Sequence, residues 1–388
     1  MEQQLPLSRT LFWLLLAFAA TAVASIALQN ILIWPTVLLF LGAHFKSRLK
    51  IQWPTGIFPW ATVLFVLTFF LGAVVGINPA NSYHTVHKYL TFLLIFPLGA
   101  MALNLQENRK LLLAFVYGAA FCAIYGISKH FFLHEDRIDS FSGDKMVFGG
   151  MLMVALLFLA FFLAENPRDW RHWLLLPLLG VALVLTETRG AWMGLVVGFV
   201  IWAWRVNKKW LLAGLLVVAV IPFFLPASLQ QRVTSIGHIW VHYGPDGQIQ
   251  SASNERIFIW DSGWRIIKDH PWGIGQGNMG DIFPKYYNPH ATEWIIPHLH
   301  NNSLQILAQN GWIGLAAYLF WIGAYFVAAL RFHRDRVDGR DLNWVLLCAF
   351  SAVLVWGLTE YTFSHQFMNV QFFLLGLQVG LWRPRSVL

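Results

Sequence analysis

Charged residues are scarce in this sequence: aspartate, glutamate, lysine and arginine make up only 12% of it, about half the share of an ordinary soluble domain. So little charge cannot clothe a surface exposed to water, which excludes a freely soluble globular chain. Cysteine is scarcer still. The two copies, Cys122 and Cys348, both lie inside apolar runs, leaving no pair for an extracytoplasmic disulfide and no zinc-type spacing. No internal repeat, low-complexity tract or linker divides the 388 residues, although length alone would allow two or three domains. What the chain has in abundance is apolar surface. Hydrophobic residues make up 57% and aromatic residues 16%, and the mean hydropathy is +0.56. Those values describe a polytopic membrane protein.

Apolar runs of about 15 to 25 residues mark spanning helices. They fall near 10–28, 30–44, 57–77, 88–105, 110–132, 146–164, 171–186, 190–204, 210–226, 303–330, 343–360 and 366–382. The first follows Arg9 like a signal-peptide core, but it is long enough to span and is read as a retained helix. The expected fold is therefore an all-α integral membrane bundle of about 12 transmembrane helices. Helices one to nine would occupy 1–226 and helices ten to twelve 303–388, one integrated bundle interrupted by a long loop at 227–302.

Cation placement sets the orientation. With the N-terminus inside, the inner segments hold Arg9; Lys46, Arg48 and Lys50; Arg109 and Lys110; Arg168 and Arg171; Arg205, Lys208 and Lys209; Arg331, Arg334, Arg336 and Arg340; Arg383 and Arg385, most of the 27 lysines and arginines. This positive-inside bias returns with every hairpin and puts both termini in the cytoplasm. The net charge of +8 is then a topology signal that meets anionic lipid heads, not nucleic acid.

The same topology puts 227–302 on the outer face, the one connection long enough to fold over a membrane-level cavity. Within it SASNERIFIWDSGWRIIKDHP reads as a helix capped by Ser253 or Asn254, with Ile257, Trp260, Trp264 and Ile267 on one face and His270 and Pro271 at its end. That apolar face suits a helix lying along the membrane surface. Gly275, Gly277 and Gly280 then spell GxGxxG. A dinucleotide fingerprint needs a preceding strand, so a flexible turn leading back to the membrane is expected instead.

The loop ends in HLHNNSLQILAQNGWIGL. Asn301 or Asn302 can cap the helix that follows, placing His300 at its mouth, near the membrane surface and wet enough to exchange protons as a general base. The bland alternative is an interfacial histidine satisfied by a backbone carbonyl. Arg189, in LTETRGAWMGL, lies at the outer boundary, where the positive-inside rule disfavours a cation. Pairing with Glu187 or snorkelling would explain it structurally. The functional reading is an anion clamp whose planar fork suits phosphate oxygens, with Arg256 as a second fixed cation on the same face.

His300, Asn301, nine residues, Gly311, two residues and Gly314 resemble the pattern H[NSQ]-x9-G-x2-G of the bacterial O-antigen ligase family, within the O-antigen ligase and polymerase superfamily. TRGAW around Arg189, and ERIFIW followed by DHPWGIGQGN around Arg256, are similar to the family's other landmarks in order and topology. Leu315 stands where the family prefers Gly, Thr or Tyr; it is expected to face helix packing. The resemblance implies an enzyme of the bacterial inner membrane with a periplasmic active site. It would transfer an O-antigen glycan from undecaprenyl pyrophosphate to a sugar hydroxyl of lipid A core, inverting the anomeric centre. In that scheme His300 is the base, and Arg189 and Arg256 hold the pyrophosphate. His298, Asn301 and Lys88 support substrate binding.

No cofactor or metal is expected. Outer acids Glu255, Asp261, Asp269, Asp281 and Glu293 occur singly, without the clustered carboxylates that hold magnesium, and Glu135, Asp136, Asp139 and Asp144 read as a solvated face. A polymerase of the same superfamily is the second reading. Its R-x10-G pattern is missing, since the residues eleven after Arg189, Arg232, Arg256 and Arg265 are Val200, Tyr243, Ile267 and Gln276. A secondary transporter is the third reading, and the repeated halves usual there are not visible.

Overall fold

The computed structural model describes residues 4–46, 53–101, 103–220, 230, 239–245, 248–292, 294–335, 339–363 and 365–382. Of the residues singled out above, Arg48, Lys50, Arg232, Glu293, Arg336, Arg383 and Arg385 lie outside these, as does the end of the ninth expected helix.

The chain is mostly helical. It runs through α1 (Gln4–Thr21), α2 (Ile26–Phe45), α3 (Ile57–Val75), α4 (Pro79–Val86), a 3₁₀ segment (His87–Leu94), α5 (Ile95–Ala100), α6 (Leu105–Leu133), α7 (Lys145–Glu165), α8 (Trp170–Leu185), α9 (Arg189–Val206) and α10 (Lys208–Val220). After β1 (Val241–Tyr243) and β2 (Ile249–Ala252) come α11 (Glu255–Asp269), α12 (Met279–Tyr286), α13 (Asn302–Asp335), α14 (Arg340–Trp356) and α15 (His365–Leu381). Among the described residues five helices are long and apolar enough to cross a membrane: α2, α3, α6, α7 and Asn302–Arg334. Arg9–Thr21 and Trp170–Leu185 are shorter apolar helices.

The sequence explains most boundaries. Asn104 and Glu107 close a reciprocal capping box on α6, and Asp144 and Asp169 cap α7 and α8, each satisfying amides that a helix start leaves unpaired. Helix α7 is apolar on all sides, and 94% of its spanning window is buried. It therefore forms the centre of the bundle, packed by α6, α8, α9 and α14.

Four details differ from the sequence reading. The first break falls at Ser25, whose hydroxyl accepts from Ala27 N, and not at Gln29, between the runs expected over 10–28 and 30–44. Gln29 is buried and donates back to Ala22 O at 2.6 Å. The run expected as one helix over 88–105 is broken into the 3₁₀ segment and α5; Pro97 has no amide hydrogen for Leu93 O and its ring crowds that carbonyl. The outer segment is not wholly helical, because β1 and β2 pair antiparallel, so the fold is all-α but for this ribbon. Finally, Ser251 and Ala252 belong to β2, and α11 is capped by Asn254 alone.

Ion pairs tie the helix ends to neighbouring helices and loops. Arg109 meets Glu165 at 2.5 Å and Arg205 meets Asp341 at 3.0 Å, joining segments read as inner. At the other end, Lys129 meets Glu135 at 3.0 Å and Asp139 at 2.7 Å. Of the four acids read as a solvated face, Asp136 and Asp144 are exposed as expected, and Glu135 and Asp139 are not free on that face. Asp139 is buried, two of the four are spent on Lys129, and Asp144 caps α7.

Candidate active site

Helix α11 sets one wall. Its buried residues are Phe258, Ile259, Ser262, Gly263, Ile266 and Ile267, one step round from the stripe read in the sequence. Trp264 is exposed and Trp260 only half-buried. The shift follows from Ser262 and Gly263, which are small enough to let Leu299 come down onto the helix: a Cβ on Gly263 would lie 2.7 Å from Leu299 Cδ1. The indole of Trp260 donates to Leu299 O at 3.0 Å. The buried face of α11 thus rests on the segment that leads into His300, while Trp264 stays exposed.

The glycine run is seated rather than loose. Gly273, Gly275 and Gly277 have φ of 96°, 81° and 77°, a region open chiefly to glycine. Gly273 and Gly275 dock on a kink in α13, where Gly311 has φ 64° and ψ −167°, while Gly277 packs against Asn81 and Thr85 of α4. The kink turns backbone groups outward: Trp312 N reaches Pro271 O, while Ala308 O and Gln309 O accept from Ile274 N at 2.8 Å and Gly275 N at 3.0 Å. A Cβ on Gly311 would lie 2.6 Å from the Trp272 carbonyl carbon. The first glycine of GxGxxG and the kink at the first glycine of H[NSQ]-x9-G-x2-G therefore meet in one contact. Leu315 packs among core side chains, as expected.

The asparagines of HNN fix the histidine. Asn301 Oδ1 accepts from Leu304 N at 3.0 Å and caps α13, while its Nδ2 donates to Leu358 O at 2.8 Å. Asn302 is buried; its Oδ1 accepts from Thr362 N at 2.9 Å and its Nδ2 donates to Thr362 Oγ1 at 2.8 Å. Asn302 N also donates to Gly357 O at 2.8 Å. The start of α13 is thereby bolted to the 357–363 connection between α14 and α15. His300, held at φ 48°, faces that connection.

What it faces is Glu360. His300 Nδ1 lies 2.9 Å from Glu360 Oε1, and Arg256 donates to Oε2 at 3.2 Å from the first turn of α11. Tyr361 N donates to Oε1 at 3.0 Å. His298 Nδ1 stands 3.9 Å from the same oxygen, and the two imidazoles meet edge-on at 4.3 Å. The Glu360 side chain is only 6% exposed. Burial works to raise its pKa, yet the His300 hydrogen bond and the charges of His300, His298 and Arg256 outweigh it and hold the carboxyl below its usual value. His298 is pushed down to about 4, by burial first and then by the charge of His300, so it is neutral near pH 7.

Glu360 was not among the candidates read from the sequence, where it closed an apolar run taken as a helix over 343–360. Helix α14 ends at Trp356 instead. The available signal was an ionisable residue at the edge of an apolar segment, which is expensive unless it has a partner or a role.

Arg189 opens α9 behind Thr188. The turn before it is braced from the 134–144 loop: Arg137 donates to Thr186 O at 3.0 and 2.9 Å and pairs with Glu187 at 3.6 Å. The neighbouring Gly190 packs on the Glu360 connection, where an added Cβ would lie 2.9 Å from Trp356 Cδ1 and would strike Thr359. The backbone at Arg189 thus borders the loop that carries Glu360. Lys88 is exposed on the 3₁₀ segment, one residue before buried Tyr89, whose hydroxyl meets that of Tyr361 at 2.9 Å. It sits at the rim, outside the His300, Glu360 and Arg256 contact set.

Among the described residues, His298, His300 and Glu360 form the one group of three whose ligand atoms, within 4.8 Å of one another, could surround a metal ion. The sequence spacing did not reveal it, because the carboxylate comes from 60 residues away. No curated protein is significantly similar to the chain. Residues 174–319, which hold Arg189, Arg256, His298, His300, Asn301 and the kink at Gly311, match the family model described as O-antigen ligase, and this match supports the O-antigen ligase family.

Proposed function

We propose that this chain is a glycosyltransferase of the ligase type. It moves an O-antigen glycan from undecaprenyl pyrophosphate to a sugar hydroxyl of lipid A core at the periplasmic face of the inner membrane. About twelve spans with both termini cytoplasmic would carry the site on that face, where no ATP is present and the energy must arrive in the glycosyl pyrophosphate bond. The protein then has to position two substrates, take one proton and stabilise the leaving charge.

The observation that carries this reading is the His300–Glu360 pair. A carboxylate on Nδ1 at 2.9 Å orients the ring with its proton on that nitrogen and leaves Nε2 to accept one. His300 Nε2 takes the acceptor hydroxyl proton as the oxygen bonds to the anomeric carbon. The bond from that carbon to phosphate breaks, and undecaprenyl pyrophosphate leaves with the electron pair. One in-line displacement inverts the centre. Arg256 and Arg189 receive the growing charge, with Lys88 at the rim, and His298 and Asn301 hold the base in place.

The test is transfer by purified protein given undecaprenyl-linked glycan and lipid A core. His300→Ala should keep its fold and donor binding and lose transfer by roughly 10²- to 10⁴-fold, the usual worth of a positioned base, while His298→Ala loses less. Near-normal transfer by His300→Ala would sink the assignment. Elongation of a second lipid-linked glycan in place of lipid A core would make the enzyme a polymerase.

A further inference from the structure

We propose that His298, His300 and Glu360 also form a binding site for a divalent ion of the zinc class, and that an ion held there stops transfer. The binding half stands on geometry alone, and the blocking half rests on His300 as the base.

The three ligand atoms lie within 4.8 Å of one another. From Glu360 Oε1 the two Nδ1 atoms stand at 2.9 Å (His300) and 3.9 Å (His298), which brackets the roughly 3.3 Å between neighbouring ligands of a tetrahedral zinc. Small side-chain movements would close the set. His298 Nδ1 supplies the independent observation, because it is buried and has no hydrogen-bond partner. A buried nitrogen left unsatisfied costs free energy unless something uses its lone pair.

The surrounding groups already hold these ligands as the outer contacts of a metal site do. Arg256 fixes Oε2, Tyr361 N fixes Oε1, and the Asn301 cap fixes the backbone of His300. Two imidazoles and one carboxylate suit zinc, copper or nickel, and not magnesium. The Arg256 guanidinium, 3.2 Å from the carboxylate, repels a cation and favours an exchangeable ion over a permanent one.

Protons explain the block. An imidazole that gives the Nδ1 lone pair to a metal carries its remaining proton on Nε2. In His300 the proton therefore moves from Nδ1 to Nε2 with none gained or lost, and Nε2 can no longer accept one from the sugar hydroxyl.

The experiment titrates purified full-length protein with zinc against a chromophoric chelator and follows transfer in parallel. We expect one zinc per chain, with transfer falling as the site fills and returning on addition of EDTA. Magnesium should neither bind there nor inhibit. His298→Ala and Glu360→Gln should each weaken zinc binding by more than the roughly 10- to 100-fold that loss of an outer contact costs, and His270→Ala should leave it unchanged. Thermal unfolding of each variant confirms the fold, and His298→Ala suffices should Glu360→Gln not fold. Absence of stoichiometric zinc, or affinity unchanged in His298→Ala, overturns the site and leaves the role of His300 untouched. Zinc bound with transfer unimpaired overturns the block and counts against His300 as the base.

Discussion

At the scale of single residues the decisive contact is one carboxylate with three donors. Glu360 Oε1 accepts from His300 and from Tyr361 N, and Oε2 accepts from Arg256. A glutamine in its place has one acceptor and one donor, so it must oppose either the histidine or the arginine. Breaking a buried charge pair costs about 3–5 kcal/mol, and a misdirected base forfeits much of its roughly 10²- to 10⁴-fold contribution. We therefore expect Glu360→Gln to lower kcat far more than it changes the donor KM, with partial return in Glu360→Asp. A Glu360→Gln enzyme of near-normal kcat would remove this residue from positioning the base. The clamp has its own residue-scale test. Lysine at position 189 or 256 keeps the charge but loses the planar fork, so each change should cost most of the transfer activity if bidentate phosphate contact matters. Full activity in both lysine variants would leave the arginines a structural role only.

At the scale of elements, the kink in α13 joins chain segments that are far apart in sequence. Gly311 occupies a backbone region essentially confined to glycine, where another residue costs on the order of 1–3 kcal/mol, and a Cβ there would also meet the Trp272 and Pro271 backbones at 2.6 and 2.7 Å. Gly311→Ala should lower the thermal midpoint in detergent and reduce transfer, although it touches none of the reacting groups. Wild-type midpoint and activity in that variant would show that the docked turn is dispensable. The sequence could reveal the parts of this element but not their union. Asn254 and Asn301 were legible as caps because a cap bonds within a few residues of itself. The break at Gly311 and the turn at Gly273–Gly277 were not legible as partners, since each satisfies the other across some 35 residues and local propensity carries no such information. The face of α11 was misread for a related reason. Apolar periodicity marks an amphipathic helix, but the packing of Leu299 on Gly263 decides which neighbouring stripe is covered.

At the scale of the whole molecule, the distribution of charge bears on how the proposed pyrophosphate leaving group would be handled. With only 19 acids in 388 residues, a carboxylate cluster for magnesium is hard to assemble, and three of the four acids between Glu135 and Asp144 are engaged. Glu135 and Asp139 hold Lys129, and Asp144 caps α7. Glu360, the acid that the fold brings to the site, already has Arg256 on one oxygen, and a magnesium ion there would compete with a fixed cation. In the proposed scheme stabilisation falls to Arg189 and Arg256. A charge-assisted hydrogen bond is worth roughly 1.5–3 kcal/mol, so two guanidinium forks could supply what a metal supplies elsewhere, an upper figure because such contributions do not add. Transfer with undecaprenyl-linked donor and lipid A core should therefore run as fast in excess EDTA as with magnesium, and should be slowed only by zinc-class ions. Activity abolished by EDTA and restored by magnesium would refute the arginine clamp. Since Glu135, Asp139 and Asp144 are committed, a required metal would then be sought on the substrate's own phosphates, and the roles of Arg189 and Arg256 would shrink to binding.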